Sequence, residues 1–371
     1  MKQGWEYKKL NEVCEKGSSN IVISKLTDND GDYPLYGASG LVKYIDFYHQ
    51  DKPYIGIVKD GAGVGRVNIY PAYSSLVGTM QYIFPKKDCL LNFIKYFLVK
   101  LDLSHCVSGA TIPHIYFKDY GKDLIPVPSL KIQEKIVSEL DKINELIRLK
   151  KEQLKDYDNL AQSIFYEMFG DPVENEKGWE VKKLSSLFKV SSSKRIMQEE
   201  WTKEGVPFLK VSDIVSLIKH GKVSPSTFIS KLKFKKLEEA KMVPTVGDIL
   251  ITSRGTLGLC YIIKTDDKFY FQDGMVTWLS ENTGDIIPIY ITYVFSNNHF
   301  LEVLAGRANK STVSYISIKQ ISKKEITVPP LPLQHLFAQR IEQIERQKSA
   351  VQKSITDLET LLASRMQYWF E

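Results

Sequence analysis

The chain has 371 residues, of which 43% are hydrophobic and 25% are charged, and this average composition excludes a disordered or collagen-like protein. Fifty basic and 44 acidic side chains give a net charge of +6, an excess too weak to define a nucleic-acid-binding protein by itself. The N-terminus lacks the apolar core of a signal peptide, and no stretch approaches the roughly 18 apolar residues of a membrane span. We therefore expect a cytoplasmic protein of more than one domain that has no membrane partner.

The sequence lacks the common motifs of catalytic and metal-binding sites. Its four cysteines are far apart without a C-x-x-C pair, and its six histidines contain no H-E-x-x-H pattern. No G-x-x-x-x-G-K-[ST] loop for ATP occurs either. These observations predict a chain without a metal site and without a disulfide framework, and they fit an enzyme with a site hidden in the larger second domain poorly.

The first element of the chain is a motif that occurs twice. Residues 4–10 read GWEYKKL and residues 178–184 read GWEVKKL, an offset of 174 residues. Further on, Thr111 aligns with Thr312 at an offset of 201, and this register continues without a gap to the end of the chain. The chain therefore contains an internal repeat, and its second copy carries 201 − 174 = 27 extra residues.

The globular part of each copy is predicted to be rich in strands. Short β-branched and aromatic runs bounded by Gly, Asp or Pro give the signal. The clearest of these runs are residues 54–58, 80–84, 248–252 and 276–279. We predict mixed, β-rich domains over residues 1–130 and 171–330, which carry net charges of +2 and +5.

A glycine-rich loop follows a predicted strand at a comparable place in each copy, at residues 57–66 and 250–258. Glycines allow a backbone to approach a ligand closely, and a neighbouring Arg or Lys can contact phosphates or read guanine edges. The alternative is a surface hairpin with solvated charges, and the recurrence favours ligand binding. The candidate DNA contacts in these loops are Lys59, Arg66, Thr252, Ser253, Arg254 and Thr256.

A second pair of small, polar segments precedes a proline-rich stop in each copy. These segments, residues 108–114 and 307–315, contribute the candidate DNA contacts Thr111, His114, Arg307, Lys310 and Ser311. In the second copy, Lys210 and Ser212 complete the set of candidates. The neighbouring Asp213 could equally be a turn or helix-cap residue.

Each copy ends in a long predicted helix, over residues 131–170 and 331–371, in which apolar residues recur at steps of three, four or seven. A helix of about 38 residues is roughly 57 Å long, which is more than one small domain covers. We expect the two helices to pair as an antiparallel coiled coil; the alternative is that one helix folds back as a hairpin on its own domain. The predicted seam residues are Leu140, Ile143, Ile147, Leu154, Ile341, Ile344, Val351 and Ile355.

The order of domain, helix, domain and helix resembles the specificity subunit of type I restriction-modification enzymes. Gly-Trp-Glu opens each copy, and Pro-x-x-x-x-Gln opens each helix at Pro128–Gln133 and Pro329–Gln334. The resemblance covers essentially the whole chain. It implies an α+β fold with two β-rich target-recognition domains, separated by two long antiparallel helices and related by a pseudo-twofold axis.

The resemblance implies a subunit that has no catalysis of its own. Each domain would read one half of a bipartite double-stranded DNA target, while the helices set the spacer and dock two methyltransferase subunits. Those partners would bind S-adenosylmethionine, restriction subunits would use ATP and Mg, and this chain would hold no cofactor. The alternative from another class is a coiled-coil scaffold that assembles proteins and binds no DNA.

Overall fold

The computed structural model describes residues 4–109, 111–306 and 315–371. By its internal contacts the chain divides into two compact units. Unit 1 comprises Met1–Gln153 and Val351–Glu371, and unit 2 comprises Leu154–Ala350. Both boundaries fall inside long helices, so each unit contains a globular part together with segments of both helices.

The described strands of unit 1 form small sheets. In chain order the strands are β1 (Glu6–Lys9), β2 (Cys14–Ser18), β3 (Tyr33–Gly37), β4 (Gly40–Ile45), β5 (Tyr54–Val58), β6 (Val67–Tyr70), β7 (Ser75–Leu76), β8 (Met80–Pro85) and β9 (Leu124–Val127). The helices are α1 (Leu10–Val13), α2 (Leu91–Leu101), α3 (Phe117–Tyr120) and the first long helix, α4 (Leu130–Phe169). The main sheet has the antiparallel order β2-β8-β5-β6, and a smaller sheet has the order β4-β3-β7.

Strand β5 is buried on both faces, and its sequence YIGIV accordingly has no charged residue at any position. Because side chains alternate along a strand, Ile55 and Ile57 enter one apolar core while Tyr54 and Val58 enter another. The first core also contains residues of α2 and Leu140 of α4. The sheet therefore holds the loop after β5 on a rigid base.

Unit 2 repeats this design and adds to it. Its strands are β10 (Glu180–Lys183), β11 (Lys189–Ser191), β12 (Trp201–Thr202), β13 (Val206–Leu209), β14 (Phe228–Ile229), β15 (Ile249–Thr252), β16 (Cys260–Ile262), β17 (Tyr270–Phe271), β18 (Val276–Ser280) and β19 (Glu325–Val328). Its helices are α5 (Leu184–Leu187), α6 (Val211–His220), α7 (Lys231–Glu239), α8 (Pro288–Ser296), α9 (Asn298–Ala305), α10 (Ile318–Lys323) and the second long helix, α11 (Leu331–Phe370). The order β11-β18-β15-β16 matches the main sheet of unit 1, and β12-β14-β13-β17 forms a second sheet.

The strand registers confirm the internal repeat. Strand β1 pairs with β9 so that Glu6 faces Val127, and β10 pairs with β19 so that Glu180 faces Val328. These partners differ by the two offsets read from the sequence, 174 and 201. Helices α6 and α7 lie between β13 and β15, where the first copy has no helix among its described residues.

The long helices begin and end within one residue of the predicted bounds, and they run antiparallel. In unit 1 Glu139 pairs with Arg365, and Lys151 Nζ lies 2.8 Å from Glu359 Oε1, so the numbering rises along one helix as it falls along the other. The buried seam residues are Leu140, Ile143, Ile147, Val351 and Ile355 in unit 1 and Ile341 and Ile344 in unit 2. Leu154 is half-buried.

In unit 2 the end of α4 packs on the start of α11. Phe165 and Phe169 contact Phe337, and Lys348 Nζ lies 2.8 Å from Asp158 Oδ1. Helix pairing of this kind was the expectation from the apolar stripe. Among the helices that the structure describes, none is at once long and apolar enough to cross a membrane.

Candidate nucleic-acid interface

The loop after β5, which we call loop A, comprises Lys59–Arg66 and closes as a hairpin. The Val58 N–H donates to the Arg66 carbonyl at 3.0 Å, and the Gly65 N–H donates to the Val58 carbonyl at 2.9 Å. Gly65 has a φ of 86°, a left-handed conformation that favours glycine. The glycine-rich sequence therefore forms a tight hairpin between β5 and β6.

A second segment, loop B (residues 108–114, of which the structure describes all but Ala110), is hydrogen-bonded to loop A. Ser108 and His114 exchange two backbone hydrogen bonds of 2.8 Å, which closes loop B on itself. The Gly61 N–H donates to the Pro113 carbonyl, and the Ile115 N–H donates to the Lys59 carbonyl, at 2.9 and 3.0 Å. These bonds join the segment that carries Lys59 and Arg66 to the segment that carries Thr111 and His114, although the two segments are about fifty residues apart in sequence.

Arg66 is the exposed cation of this surface. Its side chain lies over Gly63, where a Cβ would come within 2.3 Å of the guanidinium, and it donates to the Ala38 carbonyl at 3.3 Å. Lys59 is half-buried, and its ammonium lies 2.6 Å from the Asp60 carboxylate. Because Asp60 already offsets the charge of Lys59, Arg66 is the better placed of the two to contact an added anion.

Unit 2 carries the equivalent hairpin, loop C (residues 253–259), after β15. The Thr252 N–H donates to the Leu259 carbonyl and the Gly258 N–H donates to the Thr252 carbonyl, both at 2.9 Å. The Ile316 N–H donates to the Ser253 carbonyl at 2.9 Å, as Ile115 does to Lys59 in unit 1. The two hairpins therefore share the same backbone hydrogen bonds. Their side chains differ, because Arg254 occupies the position equivalent to Asp60 and Leu259 occupies the position equivalent to Arg66.

Two predicted DNA contacts, Thr252 at the end of β15 and Ser253 at the start of loop C, are corrected by their burial. Thr252 and Ser253 are only 0% and 2% exposed. The Thr252 hydroxyl donates to the Thr256 carbonyl at 2.5 Å, and the Ser253 hydroxyl lies 2.8 Å from that of Thr277. These hydroxyls stabilise the hairpin from inside and do not reach its surface, whereas Arg254 and Thr256 are exposed.

The other candidates of the second copy lie on different segments. Lys210 precedes α6, and its N–H donates to the Asp213 carboxylate at 2.9 Å, so Asp213 is a helix-cap residue. The Lys210 ammonium lies 5.1 Å from the centre of the Trp201 ring, and Ser212 is exposed on the first turn. Arg307, Lys310 and Ser311 lie outside the described residues.

A basic surface that the sequence analysis missed is helix α7. Phe234 and Leu237 anchor the helix in an apolar core, while Lys231, Lys235 and Lys236 are exposed. The run KLKFKK was the available signal. A motif shared by both copies does not include it, because the first copy has no equivalent of α7 among its described residues.

Unit 2 also has a cleft of about 950 Å³, lined in part by Lys189, Lys194 and Asp248. The Asp248 carboxylate accepts hydrogen bonds from the Thr245 N–H at 2.8 Å and from the Trp278 indole at 3.0 Å. Because Asp248 is already satisfied by these donors, its role is structural. A group of three possible metal ligands occurs in unit 1, where His105, Cys106 and Asp123 converge.

With this geometry established, comparison with known proteins defines the family. The family model described as "Type I restriction modification DNA specificity domain" matches residues 2–156 and again residues 176–360. The chain belongs to this family. The two matches coincide with the two copies of the repeat.

Individual relatives agree along nearly the whole chain. A Haemophilus influenzae protein that bears the name of a type I restriction enzyme specificity subunit is 24% identical over 94% of this chain and 90% of its own length. A Methanocaldococcus jannaschii type I specificity subunit is 22% identical over 96% of this chain and 90% of its own. The crystal structure of a type I restriction-modification S subunit from M. genitalium shares the fold, with a TM-score of 0.56, 16% identity and coverage of 99% and 96% of the two chains.

Proposed function

We propose that this chain is the DNA-binding specificity subunit of a type I restriction-modification complex, in which each globular part reads one half of a bipartite target. One observation carries the proposal: the same hydrogen-bonded hairpin recurs in both copies of a chain that belongs to the specificity family. Each hairpin presents an exposed arginine, Arg66 in one and Arg254 in the other. An arginine can read guanine with two parallel hydrogen bonds or contact phosphate.

The two half-sites should differ in sequence. Loop C has Arg254 where loop A has Asp60, and it has Leu259 where loop A has Arg66. Base edges are distinguished by the donors and acceptors that face them, so loops with different polar groups select different bases. We therefore expect an asymmetric target and not a palindrome.

The helices and partners follow the same proposal. Helices α4 and α11 would set the spacer between half-sites and dock two methyltransferase subunits that bind S-adenosylmethionine. Restriction subunits would use ATP and Mg to translocate and cleave DNA in the cytoplasm. This chain would contribute target recognition without catalysis. Leu146 and Leu149 on α4 and Leu361 on α11 are exposed apolar residues that a docked subunit would cover.

The methylation pattern of a host that expresses the chain with its methyltransferase partner tests the proposal. We expect methylated adenines in one bipartite, asymmetric sequence with an unread spacer. A scaffold that binds no DNA predicts instead that methylation is absent or independent of this chain. For the purified complex, DNA affinity should fall steeply with salt, since phosphate contacts release counterions.

A further inference from the structure

Three potential metal ligands that are separated in sequence meet beside loop B. His105 and Cys106 lie on the short 3-10 helix Leu103–Cys106, and Asp123 immediately precedes β9. The imidazole, thiol and carboxylate ligand atoms all lie within 4.8 Å of one another. Imidazole, thiolate and carboxylate are the three side-chain donors that Zn²⁺ binds in proteins.

The orientation of His105 is compatible with metal binding through Nε2. Its Nδ1 lies 2.9 Å from the Asp102 carbonyl oxygen, which can only accept, so Nδ1 carries a proton. In the neutral ring Nε2 then holds a lone pair, and this atom lies 3.1 Å from Asp123 Oδ2, another acceptor. Two facing acceptors need a cation between them or a second proton on the ring. A backbone carbonyl bound to the opposite ring nitrogen is also the usual outer partner of a metal-binding histidine.

The surroundings of the group are acidic. Besides Asp123, the carboxylates Asp119 and Asp102 lie near Cys106 and His105, and Lys122 is a nearby cation. A divalent cation would offset this excess of negative charge and hold the thiol as thiolate.

We propose that His105 Nε2, Cys106 Sγ and an Asp123 carboxylate oxygen bind one Zn²⁺ ion. Because one ligand atom of each residue lies within 4.8 Å of the other two, a point exists within about 2.8 Å of all three. Zinc bonds are about 2.0–2.3 Å long, so small side-chain rotations complete the site. His105 is nearly half exposed, which leaves the fourth position open to water.

The site would be specific to the first copy of the repeat. The Leu10 N–H donates to the Asp123 carbonyl, and the Leu184 N–H donates to the Lys324 carbonyl, both at 2.9 Å, so Lys324 occupies the place of Asp123 in unit 2. An ammonium group there would repel a cation. We therefore expect one metal ion per chain.

The consequence for recognition rests on the proposed function. Loop B begins two residues after Cys106, and its far end is tied to loop A. A metal that joins the 3-10 helix to Asp123 would fix the start of loop B, so zinc would stabilise the DNA-reading conformation of unit 1.

Cobalt titration of the full chain tests the site, with Co²⁺ as the probe and Zn²⁺ as the competitor. We expect one Co²⁺ per chain, with visible absorption of tetrahedral cobalt, a thiolate-to-cobalt charge-transfer band, and loss of both on addition of zinc. Cys106→Ser should abolish the charge-transfer band, and Asp123→Asn should weaken binding at least about tenfold. Cys260→Ser, a thiol in unit 2, is the matched control and should change nothing.

Asp123→Asn keeps the size of the side chain and the hydrogen bond from the Leu10 N–H to the backbone carbonyl of residue 123. Circular dichroism should therefore show a folded variant. A folded native chain that binds no cobalt, or a charge-transfer band that persists in Cys106→Ser, overturns the site. DNA affinity of the assembled complex is then compared with zinc and after its removal. Affinity unchanged by zinc overturns the role in recognition, whereas zinc binding without any DNA binding overturns the proposed function and leaves the site standing.

Discussion

Gln133 and Gln334 make the same three hydrogen bonds in the two copies of the repeat. The Gln133 amide donates to the carbonyls of Pro128 and Asp88, at 3.0 and 2.8 Å, and accepts from the Leu90 N–H at 2.9 Å. Gln334 does the same with Pro329, Asp285 and Ile287, at 2.7, 3.1 and 2.9 Å. Both side chains are fully buried. The Pro-x-x-x-x-Gln motif therefore fastens the start of each long helix to the segment before α2 or α8.

Replacing Gln133 with Ala should destabilise unit 1 because the buried Pro128 carbonyl and two part-buried backbone groups, of Asp88 and Leu90, lose their partner. An unsatisfied buried polar group costs about 1–3 kcal/mol, and we expect a loss of at least that size in the free energy of unfolding. Denaturant unfolding followed by circular dichroism measures it. Gln352→Ala, at an exposed position on α11, is the control, and equal stability of the two variants would contradict the interpretation.

The helix seam predicts a large difference between two positions on the same helix. Ile143 is 7% exposed and Leu149 is 47% exposed. Ile143→Asp places a charge in an apolar contact, at a cost of several kcal/mol, whereas Leu149→Asp leaves the charge in water. Thermal unfolding should show a marked drop in Tm for the first variant alone. Similar Tm values for both variants would argue against the seam.

Acid should loosen the helix pair through Glu139. The hydrogen bond with Arg365 is the main cause that holds the pKa of Glu139 below its usual 4.5, and the Trp369 indole also donates to this carboxylate. A carboxylate with a lowered folded-state pKa stabilises the protein above the unfolded pKa and loses that contribution as pH falls through the folded value. Glu139→Gln should be less stable near pH 7, and its stability deficit should shrink below pH 4.5. Urea unfolding of both proteins from pH 7 to below pH 4.5 measures this stability deficit. A deficit that does not change with pH would contradict the linkage between Glu139 ionisation and stability.

The two loops should act on separate halves of the DNA target. Arg66→Ala and Arg254→Ala should each weaken binding, and an arginine that reads a base should relax specificity in its own half-site by about 1–3 kcal/mol. Competition binding with DNA altered in one half at a time measures this. A loss that is equal for every sequence would identify a phosphate contact, and an unchanged affinity would remove that arginine from the interface.

The long helices should act as a ruler. Adding one heptad at matched points of α4 and α11 preserves the apolar seam and lengthens each helix by about 10 Å. At ~3.4 Å per base pair the unread spacer should grow by up to about three base pairs, while both half-sites stay the same. A methylation map of the variant shows the outcome. An unaltered spacer would mean that the helices do not set the distance.

The sequence by itself determined the features that depend on local order. The apolar stripes and the prolines before them located α4 and α11 to within one residue, because helix periodicity and proline breaks act over a few neighbouring positions. The repeated GWE motif and the constant offset of 201 revealed two equivalent halves, and the strand registers of β1 and β10 agree. A sequence repeat can be recognised without knowing which distant residues are in contact.

Only the tertiary structure decided which polar groups face outward and which meet. The sequence made Thr252 and Ser253 candidates for DNA contact together with their neighbour Arg254. In the structure their hydroxyls are buried against Thr277 and the loop backbone. The equivalence of Arg254 with Asp60 follows from hydrogen bonds to segments more than fifty residues away. The grouping of His105, Cys106 and Asp123 also depends on tertiary structure. Loop B and α3 separate Asp123 from Cys106 along the chain, and the fold brings the two residues together. Such groupings are set by the packing of whole elements, which no local pattern encodes.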